Sequence, residues 1–143
     1  MRFHFLGGRF LTPARISHVQ TDGSFKKGVG RVAVLLHHDS NIFRDVRTIP
    51  NLRDSYEAEW ASVYHGILFS FQHDAYSLHL ENDNLGVIQN LLHKAVIAKP
   101  SVVSYRTAIL DLASKGNWIG IRWIPRAKNR ADDLFHSKSK RSV

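Results

Sequence analysis

Residues 41–72 read NIFRDVRTIPNLRDSYEAEWASVYHGILFSFQ, and their hydrophobic pattern changes period partway along. From Asn41 to Ile49, the residues Ile42, Arg44, Val46 and Thr48 alternate with Phe43, Asp45, Arg47 and Ile49, the repeat of a strand. Pro50 and Asn51 stop it. Asp54 or Ser55 can then cap a helix running to about Gln72. In that helix Trp60, Val63, Tyr64, Ile67, Leu68 and Phe71 recur at i, i+3, i+4 and i+7, with acidic Glu57 and Glu59 in its first turns. A strand followed directly by a long amphipathic helix predicts a sheet with a helix packed on it.

Working outward supplies the rest of that sheet. Ile16–Asp22 reads as a first strand closed by a turn at Asp22-Gly23-Ser24, and Gly28-Val29-Gly30 leads into a second, Arg31–Leu36. With residues 41–49 they form an antiparallel meander. Beyond the long helix, Ala75–Glu81 reads as a fourth strand with Tyr76, Leu78 and Leu80 on one face. A short helix near Leu85–Lys94 follows, then Pro100, then a helix near Val102–Lys115 closed by Gly116 as C-cap. Trp118–Ile124 is a fifth strand, with Trp118 and Trp123 on its opposite faces, most simply as core residues, with base stacking as the lesser alternative. A last helix runs from Asn129 or Ala131 to about Lys138. The order βββαβααβα implies an α/β domain over residues 16–138, with a mixed sheet covered by helices. Residues 1–15 form an N-terminal extension that is read as an extra strand, a nucleic-acid arm or a disordered segment, and residues 139–143 form a basic tail.

Composition narrows the function classes. The chain has 143 residues, 43% hydrophobic and 22% charged, enough for one ordinary core. It has no cysteine, which excludes disulfides, a thiolate nucleophile and cysteine-ligated zinc. No signal-like apolar segment opens it and no run reaches the roughly 18 apolar residues of a membrane span, so a soluble, intracellular, cytoplasmic protein is expected. The 20 Lys and Arg exceed the 12 Asp and Glu by a formal +8, with nine His besides. That excess favours polyanions, nucleic acid before an acidic membrane, although it also serves solubility alone.

In a basic protein, the few carboxylates and their positions are informative. Asp22 ends the first predicted strand, Glu57 and Glu59 open the long helix, Asp83 follows the fourth strand, and Asp132 and Asp133 open the last helix. If strands one and four are parallel neighbours, these acids meet at one end of the sheet. Converging carboxylates cannot all stay ionised without compensating cations, and hard oxygen donors without Cys select Mg²⁺ or Mn²⁺. Two such ions about 4 Å apart suit in-line displacement at phosphorus.

Four motifs in order, Thr21-Asp22-Gly23-Ser24, Ala58-Glu59-Trp60-Ala61 with Gly66-Ile67, Glu81-Asn82-Asp83-Asn84, and Trp123-Ile124-Pro125-Arg126 through Asn129-Arg130-Ala131-Asp132-Asp133-Leu134, resemble type 1 ribonuclease H. The resemblance implies a five-stranded mixed sheet of order 3-2-1-4-5 and hydrolysis of the RNA strand of RNA–DNA hybrids by a monomer holding two Mg²⁺. Asp22 would bridge the ions, Glu59 and Asp83 would lie on the leaving-group side, and Asp132 on the nucleophile side. The helical wheel favours Glu57 as the inward acid, whereas the small residues Ser62 and Gly66 and the family pattern favour Glu59. The family pattern likewise prefers Asp132 to Asp133.

Gly23, Ser24, Lys26, Lys27, Asn84, Arg126, Lys128 and Arg130 are the candidate substrate contacts, with Lys94 and Lys99 as further cations, and His136 is a candidate for product release. The chain departs from the family at Ser55 and Tyr56, where asparagines usually read the RNA strand, and at Asn84 and Leu85, where Ser and Gln usually follow the aspartate. There is no inserted basic handle, and Arg126 stands in the loop that often carries a histidine. Those departures keep two alternatives open: a nuclease of another nucleic-acid structure, such as a junction resolvase or exonuclease, and a catalytically silent nucleic-acid-binding module.

Overall fold

A computed structural model describes residues 2–9, 15–93 and 99–136. Strand β1 is His4–Gly7, β2 Ser17–Lys26, β3 Val29–His38 and β4 Asn41–Ile49; helix α1 is Ser55–Gln72. Then come β5 at Ser77–Asn82, α2 at Leu85–His93, α3 at Pro100–Ser114, β6 at Trp118–Trp123, and two 3-10 segments at Arg126–Lys128 and Arg130–His136. The sheet runs β1-β6-β5-β2-β3-β4, with β2 parallel to β5, β5 parallel to β6, and every other pair antiparallel. The expected 3-2-1-4-5 order is present in β4-β3-β2-β5-β6. The N-terminal extension adds a sixth strand at its edge, so of its three readings the described part takes the first.

Alternation along each strand sorts the sheet into two faces. One face offers Val19, Val34, Leu36, Leu78, Leu80, Ile119 and Ile121 to Trp60, Val63 and Ile67 of α1 and to apolar residues of α2 and α3, forming the main core. Against the other face the last 3-10 segment sets Ala131 and Phe135 on Ala33 and Leu35. Helix α1 begins where its sequence can satisfy its free N–H groups: Asp54 is the N-cap and its carboxylate accepts from the Glu57 N–H at 2.8 Å. Gly23 lets α1 lie directly on β2, since a Cβ there would collide with the backbone of Ala58 and Glu59. Among the described residues no helix is long and apolar enough to cross a membrane.

Four expectations are corrected. Asp22-Gly23-Ser24 is no turn; these residues pair with Ala33, Val32 and Arg31, because the apolar β3 extends the sheet past them. The chain reverses instead at Lys27 and Gly28, whose φ values of 52° and 76° suit a two-residue hairpin. The last helix is a 3-10 segment as far as it is described, its first N–H groups held by side chains of the sheet and loop; residues 137–138 and the basic tail lie outside the described residues. Gly116 is not the C-cap of α3, which is Lys115 in right-handed conformation; Gly116 makes room, since a Cβ there would crowd Ile119, Phe71 and Tyr76. β5 begins at Ser77 and not at Ala75, so Tyr76 precedes it; 40% exposed, its ring lies 5.2 Å from that of Phe71 of α1 at the margin of the main core.

Candidate metal centre

The parallel pair β2–β5 decides where the acids meet. Its register runs from Ser17 opposite Leu78 to Gln20 opposite Glu81; β5 then ends at Asn82 while β2 continues to Lys26. Asp22 therefore lies beside the carboxyl end of its neighbour, where sites form in open α/β sheets. Asp83 enters this gap just after β5, and Glu59 reaches it from the second turn of α1. Carboxylate oxygens of Asp22, Glu59 and Asp83 all lie within 4.8 Å of one another. Asp132, one turn into the last segment, is 25% exposed and lies outside that trio, near enough for its charge to raise the Asp22 and Asp83 carboxyls. Three of the four acids preferred as ligands thus come together, with Asp132 beside them.

The two ambiguous pairs separate by their partners. Glu57 is buried elsewhere: it accepts from the Arg53 N–H at 3.2 Å and the Ser101 hydroxyl at 2.9 Å, tying the start of α1 to α3. Glu59 instead accepts from the Gly23 N–H at 3.0 Å, which turns it toward Asp22. Asp133 faces outward, 66% exposed, against Arg130 at 3.6 Å.

The electrostatics are those of an acidic cluster short of cations. Burial, then the neighbouring Glu59 and Asp83 charges, push the Asp22 carboxyl up from 3.8 to about 9. Burial and Asp83 likewise raise Glu59, against the opposing hydrogen bond from Gly23. Asp83 is raised by burial, while a hydrogen bond from Asn129 and the charge of Arg126 pull it back. Such a group of hard oxygen donors fits a divalent cation, whose charge would remove the mutual repulsion.

Several residues that hold the acids in place were not singled out as site residues from the sequence. Asn129 donates to the Thr21 carbonyl at 2.9 Å and to Asp83 at 3.2 Å, while its own oxygen accepts the Ala131 N–H at 3.1 Å. It fixes Asp83 and the start of the Asp132 segment together. Asn82, fully buried, donates to Thr21 at 3.0 Å, approaches Glu59 at 3.5 Å and accepts from the Asn84 N–H at 2.8 Å. Gln20 accepts the Arg130 N–H at 2.8 Å and donates to Glu81 at 2.8 Å, pinning the last loop to the sheet. Trp123 donates its indole N–H to the Asp83 carbonyl at 2.9 Å, a polar duty beyond the core role expected of it. The signal for Asn82 and Asn129 is that each lies inside a motif that carries an acid, Asn82 next to Asp83 and Asn129 three residues before Asp132; their duties emerge only from tertiary placement.

The candidate substrate contacts divide. Gly23 and Ser24 adjoin Asp22, and Arg126, Lys128 and Arg130 are exposed on the loop before Asp132. Lys26 and Lys27 stand at the hairpin, four and five residues along the chain from Asp22 and exposed. Asn84 caps α2, its side chain accepting from the Val87 N–H at 3.1 Å. Lys99 is paired with Asp54 at 2.7 Å, and Lys94 lies outside the described residues. His136 Nε2 is 3.8 Å from Asp132.

A mixed sheet with helices on its core face and carboxylates gathered past a parallel strand pair defines a ribonuclease H-like protein. Residues 20–138 match the model of the reverse transcriptase-like family, and the chain belongs to that family as a type 1 ribonuclease H-like member. The fold is similar to RNase H1 from the halophilic archaeon Halobacterium salinarum NRC-1, with TM-score 0.74, 23% identity, and coverage of 84% of this chain and 94% of the other. It is also similar to the N-terminal RNase H domain of a Mycobacterium tuberculosis protein, with TM-score 0.74, 17% identity and coverage of 90% and 99%. A third similar structure is LC11-RNase H1 in complex with an RNA/DNA hybrid, with TM-score 0.71, 15% identity and coverage of 89% and 99%. A comparison with curated protein sequences gives no match.

Proposed function

We propose that the protein is a metal-dependent endoribonuclease that hydrolyses the RNA strand of RNA–DNA hybrids, leaving 5′-phosphate and 3′-hydroxyl ends. The observation that carries this reading is the convergence of Asp22, Glu59 and Asp83 within 4.8 Å in a chain of this family. Asp22, Glu59, Asp83 and Asp132 would hold two Mg²⁺, or Mn²⁺, ions, Asp22 serving both, Glu59 and Asp83 on the leaving-group side and Asp132 on the nucleophile side. When bound, such ions acidify water and offset charge on the departing oxygen. Asn129 and Asn82 keep Asp83 and Glu59 aimed at Asp22 as substrate arrives. Arg126, Lys128 and Arg130 take the phosphates beside Asp132, with Lys26 and Lys27 reaching the flanking backbone and Gly23, Ser24 and Asn84 lining the approach. His136, beside Asp132, assists product departure. The hybrid bound to LC11-RNase H1 supports the substrate class; the proposed enzyme acts as a monomer in the cytoplasm, whose reducing conditions leave a chain without cysteine unaffected.

One observation favours a second reading, a nuclease of a different nucleic-acid structure. Tyr56 stands where the family usually has an asparagine for RNA, and its hydroxyl accepts from Asn90 of α2 at 3.1 Å. A single panel separates the two: labelled hybrid, single-stranded RNA, double-stranded DNA and a four-way junction, each incubated with Mg²⁺. Cleavage confined to the RNA of the hybrid is expected, with 5′-phosphate ends. Preferred cleavage of a DNA structure would replace the proposal with the second reading.

A further inference from the structure

The face of the sheet that carries Asp22 also carries an array of rings at its other end, and neither the acids nor the main core uses it. The residues Gly120, His79, His18 and His37 are successive cross-strand partners on β6, β5, β2 and β3. Phe3, just before strand β1, stacks on His79 with ring centroids 3.8 Å apart and an 11° interplanar angle. His18 meets His79 edge to face at 5.3 Å, and Trp118 meets it at 5.4 Å. Gly120 leaves the space that Trp118 and Phe3 occupy, since a Cβ there would collide with the indole. The Arg122 guanidinium lies over Phe3 at 4.3 Å. Helices α1, α2 and α3 put their buried residues on the opposite face, and His18 is exposed.

Position relates this array to the metal centre. His18, Gln20 and Asp22 point to the same face of β2, so His18 lies about 13 Å along the strand from Asp22. Between them Gln20 holds the last loop by the Lys128 carbonyl and the Arg130 N–H, and both of these residues are exposed. Carboxylates, then two cations, then a ring platform thus follow one another on one face of a chain with formal charge +8. Ring faces on adjacent strands stack bases without regard to sequence, and flanking cations take the phosphates.

We propose that Phe3, His18, His79 and Trp118 form a binding platform for a single-stranded nucleic acid that continues from the duplex held at the metal centre. The inference rests on the nucleic-acid reading above but concerns a separate surface. The test compares a blunt RNA–DNA hybrid with the same hybrid carrying an unpaired six-nucleotide RNA extension, by fluorescence anisotropy in EDTA so that no cleavage occurs. The tailed hybrid should bind about tenfold more tightly, the scale of stacking one base. The Phe3→Ala, His18→Ala double variant should bring that ratio close to one while leaving blunt-hybrid affinity unchanged. His18→Ala alone, at an exposed position, should lower the ratio in the same direction, which guards against a folding defect at β1. Equal affinity for blunt and tailed hybrids in the unaltered protein, or an undiminished ratio in both variants, would overturn the platform. So would a dimer dissolved by the same substitutions with no response to the tail, which would give the face to a second copy of the chain. If Mg²⁺ restores cleavage of the blunt hybrid while the ratio is one, only the platform fails; a tenfold ratio without cleavage in Mg²⁺ would instead sink the nuclease reading.

Discussion

The two sides of the sheet are built on different principles. On the core side α1 is fixed by apolar contact: Trp60, Val63 and Ile67 are fully buried, and Gly23 and Gly66 let the helix lie close on β2. On the other side, the segment from Pro125 to His136 buries only two apolar residues, Ala131 and Phe135, together with Asn129, and is held chiefly by the amides of Gln20 and Asn129. Apolar packing spreads its stabilisation over many close contacts, whereas a few directed hydrogen bonds fix position and contribute less to stability. The proposed metal centre draws on both: Glu59 comes from the packed helix, and Asp132 from the tethered segment.

The largest expected effect falls where the two sides meet. Asp22→Asn should lower hybrid cleavage on the order of 10³-fold or more, because residues acting as a unit fail together. In the same variant the metal-free protein should melt at a higher temperature, since one member of a repelling, desolvated cluster is gone. Steady-state kinetics and calorimetry read the two halves of that trade. Next is the packed side alone: Trp60→Ala should cost about 3–5 kcal/mol of stability by denaturant unfolding, from lost burial and the cavity left behind. The tethered side should give the opposite balance. Asn129→Ala is expected to lower activity or apparent metal affinity about 10–100-fold, as loss of an outer partner to a ligand does. It should cost only about 1–3 kcal/mol of stability.

Titration sharpens the same contrast. The folded Asp22 carboxyl lies near 9 against an ordinary 3.8, so the folded, metal-free protein holds a proton that the unfolded chain has lost. Its contribution is fully present below 3.8 and is lost as pH rises through about 9. Thermal melts in EDTA should therefore fall across that window, and Asp22→Asn should flatten the fall. The smallest effect belongs to Asp133→Asn, which removes an exposed pair with Arg130 at 3.6 Å and should leave melting and cleavage almost unchanged.

This contrast also explains what the sequence could tell. Asn41–Ile49 and Ser55–Gln72 stand where the hydrophobic period put them, because β4 and α1 are defined by repeating apolar contact. The strand order was legible from motifs and from the alternation of strands and helices. The turn expected at Asp22-Gly23-Ser24 failed because local turn preference lost to pairing with β3, a partner that lies farther along the chain. The expected last helix failed because Gln20 and Asn129 side chains, not periodicity, set the path of Arg130–His136. At the site the four acids were legible by residue type and order. Their amide supports were not, since an asparagine that donates across 46 or 108 positions of chain leaves no local pattern.

The central claim is that Asp22, Glu59 and Asp83 form a divalent-metal centre, and Mn²⁺ binding followed by electron paramagnetic resonance tests it most directly. With hybrid present, the protein should take up two Mn²⁺ ions, and Asp22→Asn should lose that uptake while remaining folded. An unaltered protein that binds no Mn²⁺ with hybrid present, or an Asp22→Asn variant that binds as many ions as the unaltered chain, would contradict the account.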